Sequence, residues 1–302
     1  MEKWQLEQMC NLPLPVKIKK TEQRIREWYE YYNGDVYVSF SGGKDSTVLL
    51  HIARQIYPNI KAVYVDTGLE YPEVREFVKT FDGIEWLKPK MNFKQVIDKY
   101  GYPVISKEQS QFIYELRTTK SDKLIETRLY GNKSGHGHVS AKWLPLVDAP
   151  FKVSHKCCDV MKKGPCKNYE KITGRKPMIA TMTCESALRK QQWLANGCNS
   201  FESKRPISKP MSFWCENDVL AYVKQNDLKL ASVYGDIVSD GNIYKTTGCE
   251  RTGCMFGCQN KEDNRFDKMK ESHPVIYDYC MRDVKNGGLG LQKILEYVDC
   301  LN

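Results

Sequence analysis

Ser41-Gly42-Gly43-Lys44-Asp45-Ser46-Thr47 follows the apolar run Val36-Tyr37-Val38-Ser39-Phe40 and leads into Val48-Leu49-Leu50-His51-Ile52-Ala53. The order reads as a strand, a glycine turn and the start of a helix. Two glycines let the backbone turn tightly and approach a ligand closely, and the amides at a helix N-terminus, where the dipole is positive, suit an anion such as phosphate. Ser41, Ser46 and Thr47 add hydroxyls, Lys44 adds a positive charge, and Asp45 is placed to hold Mg²⁺ or orient a water. Lying in a turn and on no apolar face, Lys44 is expected to be solvated when no phosphate is bound. A Walker A loop is excluded, because it needs four residues between its first Gly and the Gly-Lys-Ser/Thr.

In this setting Ser-Gly-Gly-Lys-Asp-Ser resembles the pyrophosphate-binding loop (PP-loop) of the adenine-nucleotide α-hydrolase superfamily. That resemblance implies cleavage of ATP between its α and β phosphates. Asp66-Thr67-Gly68 follows a second apolar run, Ala62-Val63-Tyr64-Val65, and would end the next parallel strand at the same sheet edge, where open α/β sheets bind ligands.

A chain of 302 residues, 41% apolar and 11% aromatic, is long and apolar enough to bury a full core. No charged-then-apolar leader follows Met1-Glu2-Lys3-Trp4, and no apolar run reaches the length of a membrane span, so the expectation is a soluble, cytoplasmic protein without a membrane partner. The net charge of +9 is concentrated between Lys152 and Lys176, where eight Lys and Arg face only Asp159 and Glu170. Such a patch suits a solvated face or a polyanionic partner equally.

Residues 17–33 read as an amphipathic helix stopped by Asn33-Gly34. Strands are expected at 35–40, 60–66, 84–87 and 177–183, with a weaker one at 205–209, and helices around 46–57, 72–81 and 92–100. The alternation predicts an α/β fold, a Rossmann-like parallel sheet with helices on both faces. The stretch 103–156, rich in Lys, Ser, Gly and His, reads as an insertion, part helix and part mobile loop, in which His136 and His138 belong to an exposed glycine-rich segment. The expected organisation is an N-terminal helical segment (1–34), a nucleotide-binding domain (35–240) and a helical C-terminal region opened by a cysteine motif (241–302). Helices are expected from about Phe213 and at 262–272, 274–285 and 289–299.

Twelve cysteines in a cytosolic chain point to metal ligands or redox groups before disulfides. Cys10, Cys184, Cys198, Cys215, Cys280 and Cys300 are scattered, each read as a small apolar residue. Gly248-Cys249-Glu250-Arg251-Thr252-Gly253-Cys254-Met255-Phe256-Gly257-Cys258 sets three thiols close together, and Cys157-Cys158 is the natural source of a fourth, because adjacent cysteines do not readily close a relaxed disulfide with one another. Cys166 is a further candidate. Four thiolates suit a [4Fe–4S] cluster or structural zinc, and spacing does not choose.

From about residue 20 to 260 the chain also resembles the phosphoadenosine-phosphosulfate (PAPS) and adenylyl-sulfate reductase family. Cys157-Cys158-Asp159-Val160-Met161-Lys162-Lys163-Gly164-Pro165 looks like its Cys-Cys-x-x-x-Lys-x-x-Pro element, Glu185-Ser186-Ala187-Leu188-Arg189 like its Glu-Ser-x-x-Arg substrate element, and Pro206-Ile207 through Trp214 and Asp218-Val219 like the segment that follows. The resemblance implies that Ser41 to Thr47, Asp66, Thr67, Glu185, Ser186 and Arg189 bind the nucleotide, ATP or PAPS/adenylyl sulfate with Mg²⁺. It also implies that Lys44 and Asp45 act in catalysis, and that Cys158, Cys249, Cys254 and Cys258 hold [4Fe–4S] in preference to zinc.

Three departures matter. The downstream spacing is Cys-x4-Cys-x3-Cys where the family has Cys-x-x-Cys. The chain ends Val298-Asp299-Cys300-Leu301-Asn302 and lacks the reductases' Glu-Cys-Gly-(Leu/Ile)-His tail. Lys44 and Asp45 are intact, whereas sulfonucleotide reductases usually carry a degenerate loop. The leading expectation is therefore an enzyme that binds an adenine nucleotide and couples it, through the cluster, to sulfur transfer or reduction. It implies a nucleic-acid or protein sulfur acceptor and an electron or sulfur donor protein, and is compatible with a homo-oligomer. Alternatives are a genuine reductase releasing sulfite, with Cys300 as nucleophile, and a non-catalytic nucleotide sensor or nucleic-acid-binding subunit with a structural cluster.

Overall fold

The computed structural model describes residues 2–254 and 265–301. Along the chain, α1 (Lys3–Cys10) and α2 (Leu14–Tyr31) precede β1 (Val36–Ser39), α3 (Lys44–Ile56), β2 (Lys61–Val65), α4 (Pro72–Lys79) and β3 (Ile84–Leu87). Next come α5 (Phe93–Tyr100), α6 (Lys107–Thr118) and α7 (Asp122–Tyr130), then α8 (Gly164–Thr173), β4 (Lys176–Met178) and α9 (Ala187–Asn196). The remainder is β5 (Asn199–Ser200), β6 (Ile207–Ser208), α10 (Glu216–Gln225), β7 (Ile237–Asp240), β8 (Ile243–Thr246), α11 (Arg265–Ser272), α12 (Pro274–Met281) and α13 (Leu291–Asp299).

Two compact units share the chain. The first takes Met1–Asp66, Glu70–Lys88 and Pro165–Thr252, the second Thr67–Leu69, Pro89–Gly164 and Gly253–Asn302. The first holds a six-stranded sheet in the order β3-β2-β1-β4-β6-β5, parallel except for β5 at the edge. Val36, Tyr37, Val38, Ala62 and Val63 are buried, as strands covered on both faces require. The α/β, Rossmann-like class expected from the alternation is the fold observed.

β1 is the strand from which the order reverses: β2 and β3 build to one side, β4 and β6 to the other. Ligands of such sheets bind outside the strand C-termini at this reversal, and both the 41–47 loop after β1 and the segment after β4 emerge there. β4 is shorter than the 177–183 strand expected. The Ile179 amide still bonds Ser208 O, but Thr183 N–H turns to Ser212 O, which ends the ladder in a 3₁₀ turn over Thr183–Glu185.

Polar contacts from helix α2 hold α10. Thr21 accepts Trp214 Nε1–H at 2.9 Å, and Lys17, 2% exposed, pairs with Asp218 Oδ2 at 2.6 Å. The second unit contains α5, α6, α7 and the three C-terminal helices. Asn92, Ser106 and Ser121 cap α5, α6 and α7 by accepting N3 amides. Much of the expected insertion is therefore ordered helix. No helix among the described residues is long and apolar enough to cross a membrane.

Candidate functional site

The loop is shaped by its neighbours in the first unit. Gly42 has φ +71°, and a Cβ there would lie 2.6 Å from Val78 Cγ2 and 2.8 Å from Val74 Cγ1 of α4, so only glycine fits. The Ser46 hydroxyl donates to Gly43 O at 2.9 Å and accepts Ser41 N–H at 3.1 Å, while Thr47 Oγ1 donates to Gly43 O at 3.0 Å. Both hydroxyls thus hold the loop's own backbone. Ser41 Oγ, also 3.0 Å from Ser46 Oγ, accepts Gly43 N–H at 3.3 Å and lies on the exposed side.

Lys44 is the first residue of α3 and is only 4% exposed. This corrects the expectation of a solvated turn lysine. Its Nζ donates to Glu250 O and pairs with Glu216 Oε1 at 3.0 Å, lying 5.4 Å from the centre of the Tyr234 ring. Its backbone N–H donates to Tyr234 Oη at 3.2 Å, and Tyr234 Oη is 2.7 Å from Thr252 Oγ1. An amide expected to face phosphate is thus occupied by a tyrosine hydroxyl.

Asp45 follows. Its Oδ1 is buried and has no hydrogen-bond partner among the described residues. Burial pushes its carboxyl above the ordinary range; Lys44 opposes that shift, Glu216 adds to it, and Arg251 and Arg189 oppose it more weakly. An orphaned carboxylate oxygen beside a phosphate-type loop fits a Mg²⁺ ligand.

Glu185 closes the 3₁₀ turn, accepting Met182 N–H at 3.1 Å, and forms an ion pair with Arg189. Ser186 caps α9 through the Arg189 amide. Arg251 reaches the same Glu185 at 3.7 Å. Asp66 directly follows β2 and is held by Arg75 at 3.0 and 3.2 Å. Thr67 belongs to the other unit, where its hydroxyl accepts Leu69 N–H at 3.1 Å.

The structure therefore gathers Lys44, Asp45, Glu185 and Arg189 with Glu216, Tyr234, Glu250, Arg251 and Thr252. Sequence reasoning assigned the last five no role. Glu250, Arg251 and Thr252 lay inside a segment read only for its thiols, Glu216 in a segment read only as a helix start, and Tyr234 carried no signal.

In the second unit Cys157 Sγ and Cys158 Sγ are 4.0 Å apart. The hydrogen bond from Cys157, outweighing burial and aided by Lys107, pulls Cys158 down to about 5, and the Cys157 thiol is pushed up by the same bond and by burial. Burial works against the Lys107 ammonium, but Cys158, Cys157 and Cys254 turn its net shift upward. A cationic surrounding that favours thiolate suits a soft metal. Cys249 belongs to the first unit, its amide bonded to Val233 O. Cys258 lies outside the described residues. Among the described residues no three His, Cys, Asp or Glu side chains are gathered closely enough to hold a metal ion.

Residues 35–127, which include the loop, α3 and Asp66, match the phosphoadenosine phosphosulfate reductase domain. Over that segment the chain is similar to the phosphoadenosine phosphosulfate reductase family. An adenosine 5'-phosphosulfate reductase of Oceanobacillus iheyensis is 25% identical to this chain over 248 residues, 80% of each chain. An uncharacterized protein of Methanocaldococcus jannaschii is 25% identical over 285 residues, 92% of this chain, which spans 55% of that relative's length. Among solved structures, the phosphoadenylyl-sulfate reductase of Candida auris, in a phosphate complex, aligns with a TM-score of 0.40 and 13% identity, covering 80% of this chain and 98% of that one.

Proposed function

We propose that this protein binds ATP at the 41–47 loop, releases pyrophosphate by α–β cleavage, and couples the activated product to sulfur transfer or reduction. The observation that carries the reading is Asp45: a buried carboxylate oxygen without a hydrogen-bond partner among the described residues, one residue after a buried loop lysine at a helix N-terminus. A chain that bound no phosphate and no cation there would bear the cost of that orphaned atom without return.

In the proposed step an acceptor oxygen attacks the α-phosphorus, its bond to the bridging α–β oxygen breaks, and pyrophosphate leaves with that electron pair. Lys44, exchanging Glu250 O for a phosphate oxygen, would neutralise the charge gathering on the leaving group, and the α3 amides would add to it. Asp45 would hold Mg²⁺, which when bound supplies further charge neutralisation. Cys158, Cys249, Cys254 and Cys258 are the thiols proposed to hold a [4Fe–4S] cluster, with Cys157 or Cys166 in place of Cys158 as the alternatives, and the cluster when bound would supply electrons or a sulfur-binding metal face.

Anaerobically purified protein incubated with ATP and Mg²⁺ is expected to release pyrophosphate and AMP, or an AMP-linked acceptor. Lys44→Ala should lower that release at least about tenfold, roughly 1.4 kcal/mol in barrier. Unchanged turnover in a folded variant would remove the reading. The reductase named among the relatives, matched over 80% of both chains, favours one second reading, cleavage of adenylyl sulfate to sulfite. Thiol-dependent sulfite release without pyrophosphate formation identifies it.

A further inference from the structure

Arg251 is fixed from both sides over the loop. The residue before it gives its carbonyl to Lys44 Nζ, and the residue after it bonds Tyr234 Oη, which itself accepts the Lys44 amide. A Cβ built on Gly43 would lie 3.4 Å from Tyr234 Oη and 3.6 Å from Thr252 Oγ1. The segment therefore crosses the cradle at its first amides. The Arg251 side chain nevertheless stays 62% exposed, with Glu185 at 3.7 Å.

That carboxylate is already paired with Arg189. Two guanidiniums thus share one carboxylate, and the repulsion is visible at Arg189, held below its ordinary value by burial first and by Arg251 next. Each guanidinium presents a planar fork suited to two oxygens. One more anion on the loop side would satisfy both.

We propose that Arg251 binds the anionic group that a nucleotide carries beyond its α-phosphate, the β,γ-phosphates of ATP or the sulfate of a sulfonucleotide, and so selects substrates by their tail. This rests on the reading of the loop as an adenine-nucleotide site. A nucleotide without a tail, such as AMP, leaves Arg251 on Glu185 and gains nothing from it.

The test is calorimetric titration of the full-length, anaerobically purified protein and its Arg251→Ala and Arg251→Lys variants with ATP, adenylyl sulfate, AMP and inorganic pyrophosphate. Unchanged circular dichroism and melting establish that the variants fold. For whichever tailed nucleotide the parent binds, Arg251→Ala should weaken binding at least about tenfold and AMP binding less than about twofold. Arg251→Lys should recover only part, because an ammonium cannot make the bidentate contact. Equal losses for AMP and the tailed nucleotide, or no loss for either, overturn the proposal. Should the parent bind pyrophosphate in an Arg251-dependent way but no adenine nucleotide, the anion role stands and the adenine reading fails. A parent that binds none of the four ends both.

Discussion

At the scale of single residues, Asp45 carries a penalty that pH and metal should expose. Burial raises its folded carboxyl above the unfolded value, so the folded state holds the proton more tightly. The stability this gives is present in acid and is lost as pH rises from the ordinary carboxylate range, about 4, through the raised value. In chelator, Asp45→Asn should therefore be more stable than the parent near neutral pH, with the difference closing as pH falls through that range. Mg²⁺ should stabilise the parent and leave the variant unmoved. A difference independent of pH in urea titrations would contradict the assignment. Lys44 carries the opposite lesson: its spacing from the glycines suggested a phosphate-binding lysine, but nothing nearby in sequence announced its observed partners, Glu216 and the Glu250 carbonyl. Those partners arrive from elements far along the chain.

At the scale of elements, α10 is positioned by a buried ion pair. Asp218 Oδ2 receives both Lys17 Nζ at 2.6 Å and the Cys215 amide at 2.7 Å, so one carboxylate caps α10 and neutralises α2. Asp218→Ala should destabilise the protein by about 3–5 kcal/mol, because it strands a buried ammonium, whereas Lys17→Met with Asp218→Leu should recover most of that loss. Denaturant midpoints decide it; a double variant as unstable as the single one would show that the pair is not the cause. The strands and helices around the loop were legible because apolar runs and periodicity are local signals, and Asn33-Gly34 stops α2 as read, both residues having positive φ. The β7–β8 hairpin was missed although Gly241-Asn242 between Asp240 and Ile243 is a two-residue turn signal. Attention to the cysteines that follow hid it. Helix α9 was missed for a related reason: Ser186, its N-cap, was read as a ligand and not as a start.

At the scale of the whole molecule, cysteine placement sorts the thiols differently from sequence spacing. Cys157, Cys158 and Cys254 fall in one unit, and Cys249, neighbour in sequence to Cys254, falls in the other. Cys215, at the N-cap of α10, lies in the first unit and is outside the proposed ligand set. Anaerobic protein is expected to contain iron and to absorb broadly near ~400 nm, as thiolate-ligated clusters do. Cys254→Ser should lose most of that iron and Cys215→Ser none. Equal loss from both, or stoichiometric zinc in a colourless protein, would reject the iron–sulfur assignment. The interleaving of the two units also has a consequence for synthesis on the ribosome. Strand β1 is complete at Ser39, but the β4 partner of its far edge begins only at Lys176. At about 5–20 residues per second the nascent sheet waits on the order of ten seconds with an apolar strand edge unpaired. During that interval the 41–47 loop exists without Tyr234, Arg251 or the rest of its cover, and the growing chain is a natural client for chaperones.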